Sequence, residues 1–161
     1  MNIEIEFLKA CERGDLEKAK ALANGTLIDT SAFDNGWTPL MRACSFGCHP
    51  ELVKYLISLG VLVDELEPED GSTALFEAAS EGQPEIIEIL LENGANINHQ
   101  DFEGYTAIMY AVISPEPKSI DCLLRNNANT ELLTKDGQKF IDIARGFDNE
   151  RILSVLSKFN L

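Results

Sequence analysis

The sequence is short of basic residues. Thirteen lysines and arginines stand against 27 aspartates and glutamates in 161 residues, which gives a formal net charge of −14 at pH 7. A chain of this charge repels phosphate backbones and anionic lipid headgroups. We therefore expect neither nucleic acid nor a membrane surface as a partner.

Long apolar runs are absent and histidine is scarce. No stretch of 18 apolar residues occurs, and residues 1–14 carry charges throughout, so we expect neither a membrane span nor a signal-peptide core. The expected location is the cytoplasm. The two histidines, His49 and His99, lie in predicted loops, and the acidic side chains are expected on exposed faces where nothing shifts their pKa. We therefore expect no catalytic residue, no enzyme activity and no cofactor.

The four cysteines lack the spacing of a disulfide framework. Cys11, Cys44, Cys48 and Cys122 fall in or beside predicted helices, which is typical of small buried residues in a reducing compartment. A metal site at Cys44, Cys48 and His49 is the alternative. Zinc requires four ligands at recognisable spacing, so we predict no metal site.

What the sequence does contain is an internal repeat. A glycine is followed seven positions later by an alanine four times, and the pairs start 35, 33 and 33 residues apart: Gly36/Ala43, Gly71/Ala78, Gly104/Ala111 and Gly137/Ala144. A period near 33 indicates a stack of units, each of which buries its apolar face against its neighbours.

The repeated segments resemble the ankyrin repeat, whose pattern is T-P-L-H-x-A within a 33-residue turn-helix-helix unit. Three of them read GWTPLMRA, GSTALFEA and GYTAIMYA, and residues 86–98, IIEILLENGANIN, resemble the second helix and closing loop of that family. The histidine of the pattern is replaced by Met41, Phe76 and Met109. The resemblance implies an all-α solenoid of stacked helix-turn-helix units with short β-hairpin-like loops.

The resemblance also implies one domain that is complete over residues 1–161. We expect an N-terminal capping repeat at 1–32, repeats at 33–67, 68–100 and 101–133, and a C-terminal capping repeat at 134–161. The first full repeat has one extra residue between its helices and one more in the hairpin that follows.

Capping residues and apolar spacing predict the helix limits. Thr38, Thr73 and Thr106 can each accept a backbone N–H from the first turn of an inner helix. Apolar residues at helical spacing predict outer helices over 51–59, 85–93 and 118–126. Each should end in a left-handed residue, at Gly60, Gly94 and Asn127.

An acidic cluster occupies the lengthened hairpin. Asp64, Glu65, Glu67, Glu69 and Asp70 are five acids within seven residues. The cluster either steers a basic partner toward the chain or is an ordinary solvated loop, and both interpretations stay open.

In the ankyrin repeat family, partners contact the hairpin tips and the exposed side of the inner helices, which form one concave surface. By position, the resemblance assigns this role to Trp37, Arg42, Phe46, Glu69, Asp70, Ser72, Glu77, Glu81, Phe102, Glu103, Tyr105, Tyr110 and Ile113. We expect an aromatic centre of Trp37, Tyr105 and Tyr110 with an acidic rim of Glu69, Asp70, Glu77, Glu81 and Glu103.

The expected function is non-enzymatic binding of one protein partner with a basic surface, by a monomer that serves as an adaptor or scaffold. The alternative is a stoichiometric acidic inhibitor or immunity protein that blocks a basic site on a toxin or enzyme. Asn98 resembles the asparagine that is hydroxylated in some members of the family. Its simpler interpretation is a turn asparagine that bonds its own backbone.

Overall fold

The chain folds as a succession of helix pairs. The computed structural model describes residues 3–24, 36–45, 49–114, 117–147 and 149–161, and these ranges contain ten α-helices and no β-strand. The inner helices are α1 (Ile3–Glu12), α3 (Pro39–Ser45), α5 (Ala74–Ser80), α7 (Ala107–Tyr110) and α9 (Phe140–Gly146). The outer helices are α2 (Leu16–Ala23), α4 (Pro50–Ser58), α6 (Pro84–Glu92), α8 (Lys118–Arg125) and α10 (Glu150–Lys158). The predicted all-α repeat architecture is confirmed.

The pairs stack in two layers. Each inner helix contacts the next inner helix, and each outer helix contacts the next outer helix, along the whole series. The inner helices α1, α3, α5 and α9 bury Ala10, Ala43, Ala78 and Ala144, and the equivalent Ala111 is buried in the 3₁₀ turn that directly follows α7. Because an alanine projects only a methyl group, neighbouring inner helices can approach closely at these positions.

One hydrophobic core runs from the first helix to the last. The buried cluster begins at Phe7, passes through leucines such as Leu56 and Leu90, and ends at Leu156. Cys11, Cys44 and Cys122 are buried, as predicted, whereas Cys48 lies outside the described residues. Since the core is continuous, each helix pair depends on its neighbours for burial.

The outer helices α4 and α6 begin and end one residue earlier than predicted, whereas α8 begins at the predicted residue 118 and ends one residue earlier. Pro50 and Pro84 are the first helical residues of α4 and α6, because the fixed φ of proline suits this position and no N–H is required there. The predicted left-handed residues after these helices are confirmed: Gly60, Gly94 and Asn127 have φ of +85°, +91° and +62°. These left-handed residues stop each helix and turn the chain into the next loop.

The threonine caps differ among the repeats. The hydroxyl of Thr38 accepts a hydrogen bond from the Met41 N–H at 3.1 Å, as predicted. For Thr73 and Thr106 the prediction is wrong, because the same amide of the first turn donates to the threonine carbonyl at 3.0 and 2.9 Å. Both hydroxyls are buried without a hydrogen-bond partner.

The fourth inner helix, α7, is shortened. After the four residues of α7, the chain forms a single 3₁₀ turn over Ala111–Ile113. Ser114 then adopts an extended conformation with φ −65° and ψ 138°. In the sequence it precedes Pro115, and a residue before proline disfavours the helical conformation.

Three hairpin loops project beside the inner helices. The ends of each hairpin are joined by a backbone hydrogen bond, from Glu67 N to Ser72 O at 2.9 Å, from Asp101 N to Tyr105 O at 2.9 Å, and from Thr134 N to Gln138 O at 3.0 Å. The first hairpin contains one residue more than the other two, which agrees with the extra residue noted in the sequence. The hairpins also contact one another, since Phe102 N donates to Asp70 O at 2.7 Å and Lys135 N donates to Glu103 O at 2.9 Å.

Candidate partner-binding site

The inner helices place one position of each repeat in a row. Arg42 in α3, Glu77 in α5, Tyr110 in α7 and Ile143 in α9 each directly precede the buried alanine of their repeat, and each is half-buried. Because neighbouring inner helices contact each other, these side chains follow one another along the stack. We refer to these four residues as the inner row. Its chemistry changes along the stack from basic to acidic, then to aromatic and aliphatic.

Tyr110 is held in place by polar and aromatic contacts. Its hydroxyl donates a hydrogen bond to Oδ2 of Asp101 at 3.1 Å. Its ring packs edge-on against Phe76 and Tyr105, with ring centroids 5.1 and 6.0 Å away. Burial, followed by the charge of Asp101, raises the pKa of Tyr110, so the hydroxyl stays protonated.

Asp101 connects the second of the three hairpins, over residues 101–105, to this aromatic pair. Its Oδ1 accepts hydrogen bonds from the backbone N–H groups of Glu103 and Tyr105 at 2.9 and 2.8 Å, and its Oδ2 accepts the hydroxyl of Tyr110. One buried carboxylate therefore fixes the positions of both tyrosines. Sequence analysis missed Asp101, although an aspartate at the base of a hairpin is a common acceptor for turn amides.

An apolar hollow of about 260 Å³ lies beside the two tyrosines. Its lining comes from the second hairpin, from α7 and the 3₁₀ turn after it, and from α9 and the residue that follows α9: Tyr105, Met109, Tyr110, Ile113, Ile143 and Phe147. Ile113 and Phe147 are 58% and 50% exposed. Large apolar side chains that are exposed together mark an interaction surface. Sequence analysis assigned Tyr105, Tyr110 and Ile113 to the surface but missed Ile143 and Phe147, which belong to the predicted C-terminal cap.

Glu77 is the unusual acid of the inner row. Its pKa is raised to about 7, first because burial disfavours the charged form. Repulsion by Asp70, Glu81 and Glu67 raises the pKa further, whereas a hydrogen bond with Ser45 lowers it. The expectation that the carboxylates of this surface have unshifted pKa values is therefore wrong for Glu77.

Trp37 and Arg42 form a separate pair in the first full repeat. Cζ of Arg42 lies 5.4 Å from the centre of the Trp37 ring, which is a cation–π distance. Nη1 of Arg42 lies 3.8 Å from the Glu12 carboxylate, and Trp37 packs against the core. The structure therefore brings Tyr105 and Tyr110 together. Trp37 lies in an earlier repeat and contacts Arg42 instead.

Much of the acidic cluster stabilises its own hairpin. Glu67 is buried, and its Oε2 accepts the N–H groups of Glu69 and Asp70 at 2.6 and 2.8 Å. Asp70 accepts the N–H of Ser72 at 2.7 Å, and Asp64 accepts the N–H of Asn96 at 2.9 Å. Three of the five acids thus have structural partners within the chain, and steering of a basic partner by the cluster stays a prediction.

The remaining predicted contact residues differ in accessibility. Glu69, Asp70, Glu81, Phe102 and Glu103 are exposed, and Glu103 pairs with Lys135 at 3.1 Å. Ser72 is buried, so its side chain is not presented to a partner in this structure. Phe46 lies outside the described residues. Asn98 accepts the N–H of Asn129 at 2.8 Å, so its side chain bonds the next repeat and not its own turn.

A second groove, of about 820 Å³, lies on the outer helices. It is lined by both acidic and basic side chains, and Nε of Arg125 lies 2.6 Å from the Asp121 carboxylate within it. In the ranges that the structure describes, no three histidine, cysteine, aspartate or glutamate side chains cluster as metal ligands. No helix of those ranges is both long and apolar enough to cross a bilayer.

Comparison with known proteins adds family information. The family model described as "Ankyrin repeats (3 copies)" matches residues 7–101 and again residues 51–136. The chain is 36% identical over 95 residues to the human SMC5-SMC6 complex localization factor protein 1, which covers 58% of this chain and 9% of that protein.

Two further relatives match a similar length. The chain is 34% identical over 96 residues to the Drosophila melanogaster ankyrin repeat and KH domain-containing protein mask, with 57% of this chain and 2% of that protein covered. It is 35% identical over 104 residues to a putative ankyrin repeat protein of Rickettsia bellii, with 61% and 15% covered. The match thus spans less than a fifth of each of these relatives.

Proposed function

Because the chain belongs to the ankyrin repeat family, whose repeats are general protein–protein interaction modules, we propose that it binds one protein partner on the concave face of its stack. In this proposal the chain is a monomeric, cytoplasmic adaptor or scaffold without catalytic activity. The binding surface consists of the inner row, the apolar hollow and the exposed hairpin residues Glu69, Phe102 and Glu103.

The apolar hollow is the observation that carries the proposal. Two tyrosines fixed by Asp101 form one wall, and the exposed side chains of Ile113 and Phe147 stand beside them. Rigid aromatic residues around a small apolar depression are typical of interface hot spots, because they bury a large area at a low cost in side-chain entropy.

A second candidate function is supported by the charge distribution. Residues 55–117 contain thirteen acidic residues and no lysine or arginine. A surface with this charge can occupy a basic cleft in place of nucleic acid or an acidic substrate. The second proposal is therefore a stoichiometric inhibitor or immunity protein that blocks a basic site on a toxin or enzyme.

Capture by surface variants tests the location of the site. The immobilised chain is incubated with a lysate of its source cells as wild type, as Ile113→Asp, and as the control Leu153→Asp, which alters an exposed leucine of the outer helix α10. We expect the wild type and Leu153→Asp to retain the same partner and Ile113→Asp to lose it, with all three chains giving equal circular dichroism spectra. Retention of the partner by Ile113→Asp would contradict the proposed face.

The same partner then distinguishes the two functions. An adaptor leaves the activity of its captured partner in place, whereas an inhibitor abolishes that activity at one molar equivalent. Titration of the purified partner with the wild-type chain therefore decides between them.

A further inference from the structure

We infer that the inner-helix surface recognises a partner segment in which a lysine or arginine stands two or three residues from a large apolar side chain. In the complex, the apolar side chain occupies the hollow beside Tyr110, and the cation lies against Glu77. The inference rests on the proposed function and adds the chemistry of the partner.

The size of the hollow fits a side chain of a protein. At about 260 Å³ it lies at or below the lower limit of small-molecule sites, which occupy about 300–1,000 Å³. Its walls are apolar and aromatic, and the hydroxyl of Tyr110 is already bonded to Asp101. An aliphatic or aromatic anchor therefore matches this hollow in both volume and polarity.

The charge around the hollow selects a cation. The central part of the chain, residues 55–117, has no lysine or arginine to neutralise its thirteen acids. On the inner row, Glu77 stands directly beside Tyr110, and the charges of Glu77 and Asp70 both act on the tyrosine hydroxyl. A partner segment with acidic residues would be repelled here, and a basic one attracted.

Glu77 is the acid of the inner row on which this attraction acts. Its carboxylate is repelled by Asp70, Glu81 and Glu67 and is hydrogen-bonded to Ser45. A lysine or arginine of the partner would relieve the repulsion and would lie near the tyrosine rings, whose faces attract cations. Arg42, the neighbour of Glu77 in the inner row, is held by Trp37 and Glu12.

The distance between the two subsites sets the spacing in the partner. Glu77 lies on α5, and the hollow begins at Tyr110 on α7. The axes of packed helices are about 8–10 Å apart, and an extended chain advances about 3.3 Å per residue. An extended partner segment therefore covers this distance with two or three residues.

A phage-displayed library of random 12-residue peptides, selected on the full chain, provides the probe. We expect enrichment of lysine or arginine two or three residues from leucine, isoleucine, methionine or an aromatic residue. An enriched peptide is then synthesised with its basic residue intact or replaced by norleucine. Binding of both peptides is measured by fluorescence anisotropy to the wild type and to Glu77→Gln, Ile113→Asp, and the controls Glu88→Gln and Leu153→Asp.

We expect Glu77→Gln to bind the basic peptide about tenfold more weakly than the wild type, because a charged hydrogen bond is lost. The norleucine peptide should bind equally to wild type and Glu77→Gln, because the cation subsite is then empty. Ile113→Asp should abolish binding of both peptides. Glu88→Gln removes the same charge from the outer face of α6 and should leave both affinities unchanged.

The pH dependence provides an independent readout. Several polar or titratable groups surround Glu77: Asp70 and Glu67 of the hairpin, Glu81 at the end of α5, Ser45 of α3 and Tyr110 of α7. Arg42 is its neighbour in the inner row, and His99 packs against the adjacent Phe76. The basic peptide should bind the wild type up to about tenfold more weakly at pH 6 than at pH 8, because Glu77 takes up a proton in this range. Glu77→Gln should lose this dependence, and an unchanged dependence in Glu77→Gln would contradict the cation subsite.

The outcomes separate the inference from the proposed function. If Ile113→Asp abolishes binding but Glu77→Gln and Glu88→Gln have equal effects, the cation subsite is wrong and the binding face stands. If Ile113→Asp and Leu153→Asp have equal effects, the proposed face itself is wrong. Enrichment of peptides without a basic residue, or of none at all, overturns the inference.

Discussion

The three threonines that precede inner helices have the same sequence position but different environments. The hydroxyl of Thr38 caps its helix, whereas the buried hydroxyls of Thr73 and Thr106 have no partner. A buried hydroxyl without a hydrogen bond lowers stability by about 1–3 kcal/mol, and a used cap contributes about 1 kcal/mol. Replacement by valine, which has nearly the same shape, should therefore have opposite effects at the two kinds of site.

We expect Thr38→Val to lower the free energy of unfolding by about 1 kcal/mol, and Thr73→Val to leave it unchanged or raise it by up to about 1 kcal/mol. Urea denaturation followed by circular dichroism measures both. Equal losses in the two variants would show that the Thr73 hydroxyl has a partner in solution.

For single residues, the sequence predicts which type of side chain a position requires but not which atoms form the hydrogen bonds. A threonine before a helix is a sound cap prediction, yet the sequence does not tell whether its hydroxyl or its carbonyl accepts the first-turn amide. The pKa of Glu77 was unpredictable for a related reason. Its burial and its repulsion by Asp70 and Glu67 arise only when the hairpin packs beside α5.

Among the structural elements, the hairpins depend on contacts with their successors. Gly71 has φ +78°, and a methyl group on it would lie 2.6 Å from the Phe102 ring of the next hairpin. Gly94 has φ +91° but no atom within 4 Å of such a methyl group. The two glycines therefore separate the cost of backbone conformation from the cost of a steric clash.

We expect Gly94→Ala to destabilise the chain by about 1–2 kcal/mol, which is the cost of a left-handed alanine. Gly71→Ala should cost about 1–3 kcal/mol more, because the Phe102 ring must also move. Thermal or urea unfolding measures the difference, and Phe102→Ala in the Gly71→Ala background should recover part of it. No recovery would mean that the ring does not cover Gly71 in solution.

Element limits were largely predictable because each repeat contains strong local signals. Glycine or asparagine after the last apolar residue fixed the ends of the outer helices, and Pro50 and Pro84 shifted their starts by a single residue. The composition of the hollow was less predictable, since Phe147 follows α9 in the divergent C-terminal repeat. Its approach to Tyr105 and Tyr110 depends on how α9 stacks on α7.

For the whole molecule, the continuous core implies that the repeats unfold together. Leu90 is fully buried in α6, near the middle of the stack, and its replacement by alanine should cost about 2–5 kcal/mol. Trp37 is the only tryptophan and lies in an earlier repeat. We expect Leu90→Ala to shift the urea midpoints of tryptophan fluorescence and circular dichroism equally. An unchanged fluorescence midpoint would show that the first repeats unfold on their own.

Net stability should also depend on pH through Glu77. Its pKa is about 7 in the folded chain, compared with 4.5 for the ordinary side chain, so the folded state holds the proton more tightly than the unfolded state. Well below pH 4.5 the side chain is protonated in both states and does not change the free energy of unfolding. As the pH rises from 4.5 to 7, the folded chain loses stability, by up to about 3 kcal/mol.

Glu77→Gln cannot ionise and should escape this loss. We expect the variant to match the wild type near pH 4 and to exceed its free energy of unfolding by up to about 3 kcal/mol at pH 8, measured by urea denaturation at each pH. Glu88→Gln, on the exposed face of α6, should show no such trend, and a Glu77→Gln effect that is independent of pH would contradict the burial of the charge. A carboxylate that lowers the stability of its own fold is consistent with a binding role, because function often retains residues that stability alone would not.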